Sequence, residues 1–140
     1  LVIADSGVHG STREAVGALR RRYEEDTGTV GPLIGSLGAL TRTAIAALND
    51  GDAPALGAAM NRAHAVLAQL GLSLPILDGL TGAARRAGAL GAKLTGGGLG
   101  GCTIALADGP RTADRIRAEL ERAGAAATWT YRMRVSEADG

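Results

Sequence analysis

Apolar residues recur at helical spacing through most of this chain and switch to a strand-like pattern near its end. The chain opens on Leu1-Val2-Ile3-Ala4, followed by Asp5-Ser6-Gly7, which predicts a buried strand and a turn. Ser11 with Glu14 three residues later fits a capping box, so a helix is predicted from Thr12 to Glu25. Thr27-Gly28-Thr29 should end it. Leu33, Leu37, Leu40, Ala44 and Leu48 step by four and three, which predicts a second helix over 31–48. Asn49-Asp50-Gly51 stops it. Asp52 is placed to cap a third helix, with Leu56, Met60, Ala63, Leu67 and Leu70 on one stripe and Gly71 at its end. A fourth helix is predicted from Pro75 to Ala87, with Ile76, Leu77, Leu80 and Ala84 inward.

The period then shortens. Ala92-Lys93-Leu94-Thr95 reads as a strand, 96–101 as a glycine loop, and Thr103 to Ala107 as a second short strand. After the turn at Asp108-Gly109-Pro110, Thr112 to Ala123 forms the best amphipathic pattern, with Gly124 as its C-cap. Ala127 to Met133 alternates and predicts a last strand, and residues 134–140 are expected to fray. The order is strand, four helices, two strands, helix, strand. It predicts an α+β domain, an antiparallel sheet with helices on one face, whose last four elements resemble half of a ferredoxin-like unit.

The length of 140 residues suits one domain over 1–140. Such a domain buries roughly 70% of its unfolded surface. With no Phe, one Trp and two Tyr, its core must be aliphatic. A formal charge of +1 and the lack of aromatic stacking platforms give no reason to expect nucleic acid. Arg20-Arg21-Arg22 reads as a solvated helix face. One cysteine, Cys102, excludes an intramolecular disulfide, which fits a reducing compartment and a cytoplasmic location. No stretch reads as a membrane span or a signal peptide, so no membrane partner is expected. The chain starts at Leu1 inside an apolar run, which suggests a domain cut from a longer protein.

The candidate chemistry lies at the glycine loop. Five of the six residues from Gly96 to Gly101 are Gly. Glycine loses more backbone entropy on folding than any other residue, so such a loop implies close approach of backbone amides to something, most often an anion. Gly96-x-Gly98-x-x-Gly101 matches a dinucleotide fingerprint, but that motif must open a helix, and Cys102 to Ala107 reads as strand. Gly96-x-x-x-x-Gly101-Cys102-Thr103 approaches a P-loop, but Cys102 stands where a Lys is required. Neither motif fits.

The segment Gly91-Ala92-Lys93-Leu94-Thr95-Gly96-Gly97-Gly98-Leu99-Gly100-Gly101-Cys102 resembles the third signature of the galactokinase, homoserine, mevalonate and phosphomevalonate kinase superfamily. The opening from Val2 to Val16, Gly71-Leu72-Ser73 and Ala127-Thr128-Trp129 resemble mevalonate kinases in particular, most like their bacterial branch. The resemblance implies a C-terminal kinase domain whose N-terminal, ATP-binding domain lies outside this chain. The expected partners are that N-terminal half, mevalonate and ATP. The main ATP loop, a Lys–Asp pair acting on the mevalonate hydroxyl and the Mg²⁺ ligands are expected there too. No catalytic residue is therefore expected in this segment, and the chain alone should not turn over substrate.

On the same resemblance, Lys93, Thr95, Gly96, Gly97, Gly98, Gly100 and Gly101 form the phosphate-side loop, and Ser6 belongs to the substrate wall. Two readings of Lys93 stand, a loop-side cation and a solvated strand residue. Asn61 and His64, one helical step apart, could share a polar contact with the substrate side, or His64 could be an ordinary surface or hydrogen-bonded histidine. Cys102 reads as a small buried apolar residue, and His9 as a loop residue. Two distant His and one Cys lack metal-ligand spacing. Rival readings are phosphomevalonate kinase or another superfamily member, and a non-catalytic anion-binding or dimerising module. A homodimer is compatible with the resemblance.

Overall fold

The computed structural model describes residues 1–133, so the expected fraying of 134–140 lies outside the described residues. The element order is β1 (Val2–Asp5), α1 (Thr12–Glu25), α2 (Thr27–Asp50), α3 (Ala53–Gln69), α4 (Pro75–Arg86), β2 (Gly91–Thr95), β3 (Cys102–Leu106), α5 (Pro110–Arg122) and β4 (Ala127–Thr130). The strands form one sheet in the order β2-β3-β1-β4, every neighbouring pair antiparallel. This is the ferredoxin-like arrangement, with three helices added ahead of α4 between the first two strands. The α+β class and the antiparallel sheet are as the sequence predicts.

The pleat sorts residues between the two faces of the sheet. Val2 and Ala4 of β1, Ala92 and Leu94 of β2 and Ala105 of β3 are buried. Most of them meet Leu80 and Ala84 of α4 and Ala113, Ile116 and Leu120 of α5 in one aliphatic core. Lys93, Ile104 and Ile3 lie in one row on the opposite face, next to Trp129, which is half exposed.

The helix boundaries show which local signals decide. Ser11 caps α1, its Oγ accepting from the Glu14 amide. Only half of the capping box forms, because among the described residues Glu14 returns no bond to the Ser11 amide. Thr27-Gly28-Thr29 does not separate two helices. Asp26 alone stands between α1 and α2, and its carboxylate accepts from the Thr29 amide to start α2 a turn earlier than predicted. Pro32 is the sixth residue of α2 and has no N–H to give to the Gly28 carbonyl one turn earlier. Asp52 caps α3 as predicted, accepting from the Ala55 amide. β4 stops at Thr130, not Met133, although Leu1 and Tyr131 still exchange backbone hydrogen bonds.

Contrary to the sequence reading of membrane spans, α2 is long and apolar enough to cross a membrane by length and composition, with a mean hydropathy of 1.2 over its best window. The side of α2 that carries its apolar stripe faces α3, and within α2 only Val30 and Ala47 are buried. Leu37, Leu40, Ala44 and Leu48 of α2 face Met60, Ala63 and Leu67 of α3 across an apolar groove of about 490 Å³.

α3 runs along the outer edge of β2. A Cβ on Gly57 would overlap the Leu90 carbonyl, and one on Gly91 would overlap the Gly57 carbonyl. Glycine at both positions is what lets helix and strand touch. Side chains of α3 then satisfy the edge. Asn61 Nδ2 donates to the Leu90 carbonyl at 3.3 Å, and its Oδ1 accepts from the Ala92 amide at 2.9 Å. His64 Nδ1 accepts from the Leu94 amide at 3.1 Å. An open strand edge is thereby covered without a fifth strand.

Candidate functional site: the glycine loop

The loop between β2 and β3 is pinned to two neighbouring turns. The Leu99 amide donates to the Leu72 carbonyl in the α3–α4 turn at 2.8 Å. The Gly101 amide donates to the Val8 carbonyl in the β1–α1 turn at 2.8 Å, and the Ser6 amide donates to the Gly101 carbonyl at 2.9 Å. Leu99 takes a left-handed φ of 56° to make its bond.

The glycines divide by what surrounds them. A Cβ on Gly98 would stand 2.6 Å from the Leu72 carbonyl oxygen, and one on Gly100 would stand 2.5 Å from the Val8 carbonyl oxygen. Gly97 lies against Thr12. These three are demanded by packing against the domain itself. Gly96 is different: a Cβ there meets no atom within 4 Å, although its φ of 86° is left-handed. It borders the α2–α3 groove and, on the loop side, a cavity of about 400 Å³.

That cavity is lined by the loop, by Thr95 and Cys102 at the strand ends, and by His9, Gly10 and Thr12. Thr12 is the first residue of α1, so the helix N-terminus, which favours negative charge, faces the loop. The amides of Gly96, Gly97, Gly98 and Gly100 find no hydrogen-bond partner among the described residues. Gly98 and Gly100 are buried, and a buried amide without a partner is costly. The arrangement suits an anion.

Not every expected site residue joins this cavity. Lys93 does not line it. The pleat turns Lys93 into the α2–α3 groove, which Gly96 also borders, and there its Nζ donates to the Leu94 carbonyl at 2.6 Å. Burial pushes its ammonium pKa down. Ser6 is buried in the β1–α1 turn, its Oγ accepting from the Val8 amide at 3.2 Å, and it does not line the cavity either. Asn61 and His64 share a face as expected, but that face is bonded to the β2 edge. Cys102, expected to be buried, is half-buried and borders the cavity. Burial, and then the charge of Asp5 paired opposite it on β1, push its thiol pKa up.

The sequence reading overlooked Asp78. Its Oδ1 accepts from His64 Nε2 at 2.8 Å and from the Ser73 hydroxyl at 2.6 Å. His64 accepts at Nδ1 from a backbone amide, so its ring proton sits on Nε2 and points to Asp78. Partial burial pushes the Asp78 carboxyl up, but the Ser73 and His64 hydrogen bonds, with the charge of Arg85, hold it below its ordinary value. The available signal was a Ser and an Asp five residues apart across the predicted start of a helix.

A family model described as GHMP kinases C terminal matches residues 44–126. The chain belongs to the GHMP kinases. It is 45% identical over 114 residues to the mevalonate kinase of Pyrococcus abyssi, covering 78% of this chain and 34% of that protein. It is 40% identical over 129 residues to the mevalonate kinase of Thermococcus sibiricus, covering 89% and 38%. The chain thus spans little more than a third of the length of these curated relatives. Among solved structures, L. major mevalonate kinase in complex with R-mevalonate superposes with a TM-score of 0.88 at 30% identity, over 91% of this chain and 40% of that one. The GHMP kinase C-terminal domain expected from the loop signature is confirmed.

Proposed function

We propose that this chain is the C-terminal domain of a mevalonate kinase, whose complete form transfers the terminal phosphoryl group of ATP to mevalonate. The observation that carries the reading is the set of unpartnered amides on the glycine loop, facing the N-terminus of α1. The 45% identity over 114 residues to a mevalonate kinase supports mevalonate as the substrate. Phosphoryl transfer needs positioning and charge neutralisation more than covalent chemistry. Backbone amides held rigidly at the phosphate side supply both without reorganising during the reaction.

In this reading the amides of Gly96 and Gly97 contact phosphate oxygens, with the Thr95 hydroxyl at the same edge. The open face of Gly96 admits the phosphate group where a side chain would fill the space. Lys93 holds the strand end rather than the phosphate. Among the described residues no group of three or more His, Cys, Asp or Glu could hold a metal ion. The residues here do not fit Mg²⁺, and its ligands, with the general base, would come from the N-terminal half. The isolated chain is then inactive, and the complete kinase works in the cytoplasm.

The test is coupled ATP turnover by the complete kinase with mevalonate, phosphomevalonate and homoserine offered separately. Turnover with mevalonate is expected. Turnover with phosphomevalonate or homoserine instead would move the protein elsewhere in the family. A folded, anion-binding protein active on none would favour the non-catalytic module.

A further inference from the structure

The glycine loop is braced from two sides, and both braces lead to one carboxylate. On one side, β2 enters the loop at Thr95. The residue before it, Leu94, is fixed by the bond from its amide to His64 Nδ1. On the other side, Leu72 takes the Leu99 amide and sits directly under Gly98. Ser73, the next residue, donates its hydroxyl to Asp78 Oδ1, the same oxygen that accepts from His64 Nε2. Thr81 Oγ1 lies 3.3 Å from Nε2 and donates to the Asp78 carbonyl, which holds the ring against α4.

We propose that His64, Asp78 and Ser73 form a positioning circuit that sets the glycine loop, tying the β2 strand before the loop to the Leu72 turn beneath it. None of the three lines the loop cavity. His64 is 5% exposed, with both ring nitrogens engaged, so it acts on substrate only through the backbone it holds. The circuit deepens the proposed function, because a loop that binds phosphate through backbone amides has no side chains of its own to fix their direction. A displacement of about 1 Å in such a surface is enough to weaken transition-state contacts strongly. The polarity of the circuit is set at Leu94. A backbone N–H can only donate, so Nδ1 must accept and Nε2 must donate, which requires an acceptor at Asp78.

The test compares Ser73→Ala, Asp78→Ala and Asp78→Asn in the 140-residue chain by amide hydrogen exchange and ¹⁵N shifts. The Asp78 side chain is 54% exposed, so its removal leaves the core packing in place. Leu99 exchange is expected to quicken about tenfold in Ser73→Ala and Asp78→Ala, the scale of one lost hydrogen bond. The Gly96–Gly98 amide shifts should move while the α5 amides stay unchanged. Asp78→Asn keeps a neutral acceptor and should restore most of the Leu99 protection, a rescue that general destabilisation does not produce. Unchanged Leu99 exchange in both alanine variants, or equal loss across α5, would overturn the proposal. In the complete kinase the same alanine variants should raise the KM for ATP severalfold more than that for mevalonate, and an equal rise in both would overturn it as well. If the kinase proves inactive on mevalonate, the functional reading falls while the exchange result still decides the circuit.

Discussion

The Gly101 amide donates to the Val8 carbonyl, and a Cβ on the neighbouring Gly100 would stand 2.5 Å from that same oxygen. The glycine loop is therefore two structures in one. Gly98 and Gly100 are packing glycines, buried against the Leu72 and Val8 turns. Gly96 is open to the cavity.

This division predicts different outcomes for two alanine substitutions. Gly100→Ala forces backbone apart and should destabilise the domain by about 2–4 kcal/mol, with loss of activity following from misfolding. Gly96→Ala meets no neighbour, and its left-handed φ costs only about 1–2 kcal/mol. It should leave a folded protein with a raised KM for ATP. Urea unfolding beside steady-state kinetics separates the two.

Asn61→Ala removes the acceptor of the Ala92 amide and the donor to the Leu90 carbonyl. Both backbone groups then lack partners on the β2 edge. The expected loss is about 1–3 kcal/mol, measured by urea unfolding. Were Asn61 instead a substrate ligand, the KM for mevalonate would change while stability stayed level.

Lys93→Met should be close to neutral. The ammonium is partly buried, with its pKa held down by that burial. A lysine whose folded pKa is lowered is disfavoured in its charged form, so stability rises as pH climbs from the folded to the unfolded value. Lys93→Met should abolish that alkaline rise, keep stability at neutral pH within about 1 kcal/mol of the native chain, and leave the KM for ATP unchanged. A large rise in that KM would return Lys93 to the phosphate side.

Asp78 supplies the acid-side counterpart. Its folded pKa lies below the unfolded value, so its contribution is present above the ordinary carboxylate range. That contribution disappears as pH falls through the folded value. Asp78→Asn should flatten this part of the stability profile by lowering stability at neutral pH towards the acid value, with the acid region nearly unchanged. Thermal unfolding from pH 7 down to pH 3 checks it.

Much of this was legible in the chain. The capping residues Ser11 and Asp52 marked helix starts correctly, because a cap is a local contact between a side chain and an amide two or three positions on. The glycine loop was recognisable because five glycines in six positions violate local economy. What was not legible came from contacts between distant segments. Thr27-Gly28-Thr29 looked like a break, yet the Asp26 cap lets α2 begin there. The spacing of Asn61 and His64 put them on one face, but only the approach of Gly57 to Gly91 reveals that this face meets a strand edge. Strand alternation separated Lys93 from Leu94 in direction. Which side of the sheet held the cavity depended on where the β1–α1 turn came to rest.

The most direct test is ATP-dependent phosphorylation of mevalonate by this chain, first alone and then supplied with the N-terminal half of the kinase. No turnover alone, and mevalonate-specific turnover once completed, is the predicted result. Turnover by the chain alone, or a completed enzyme that phosphorylates homoserine and ignores mevalonate, would contradict it.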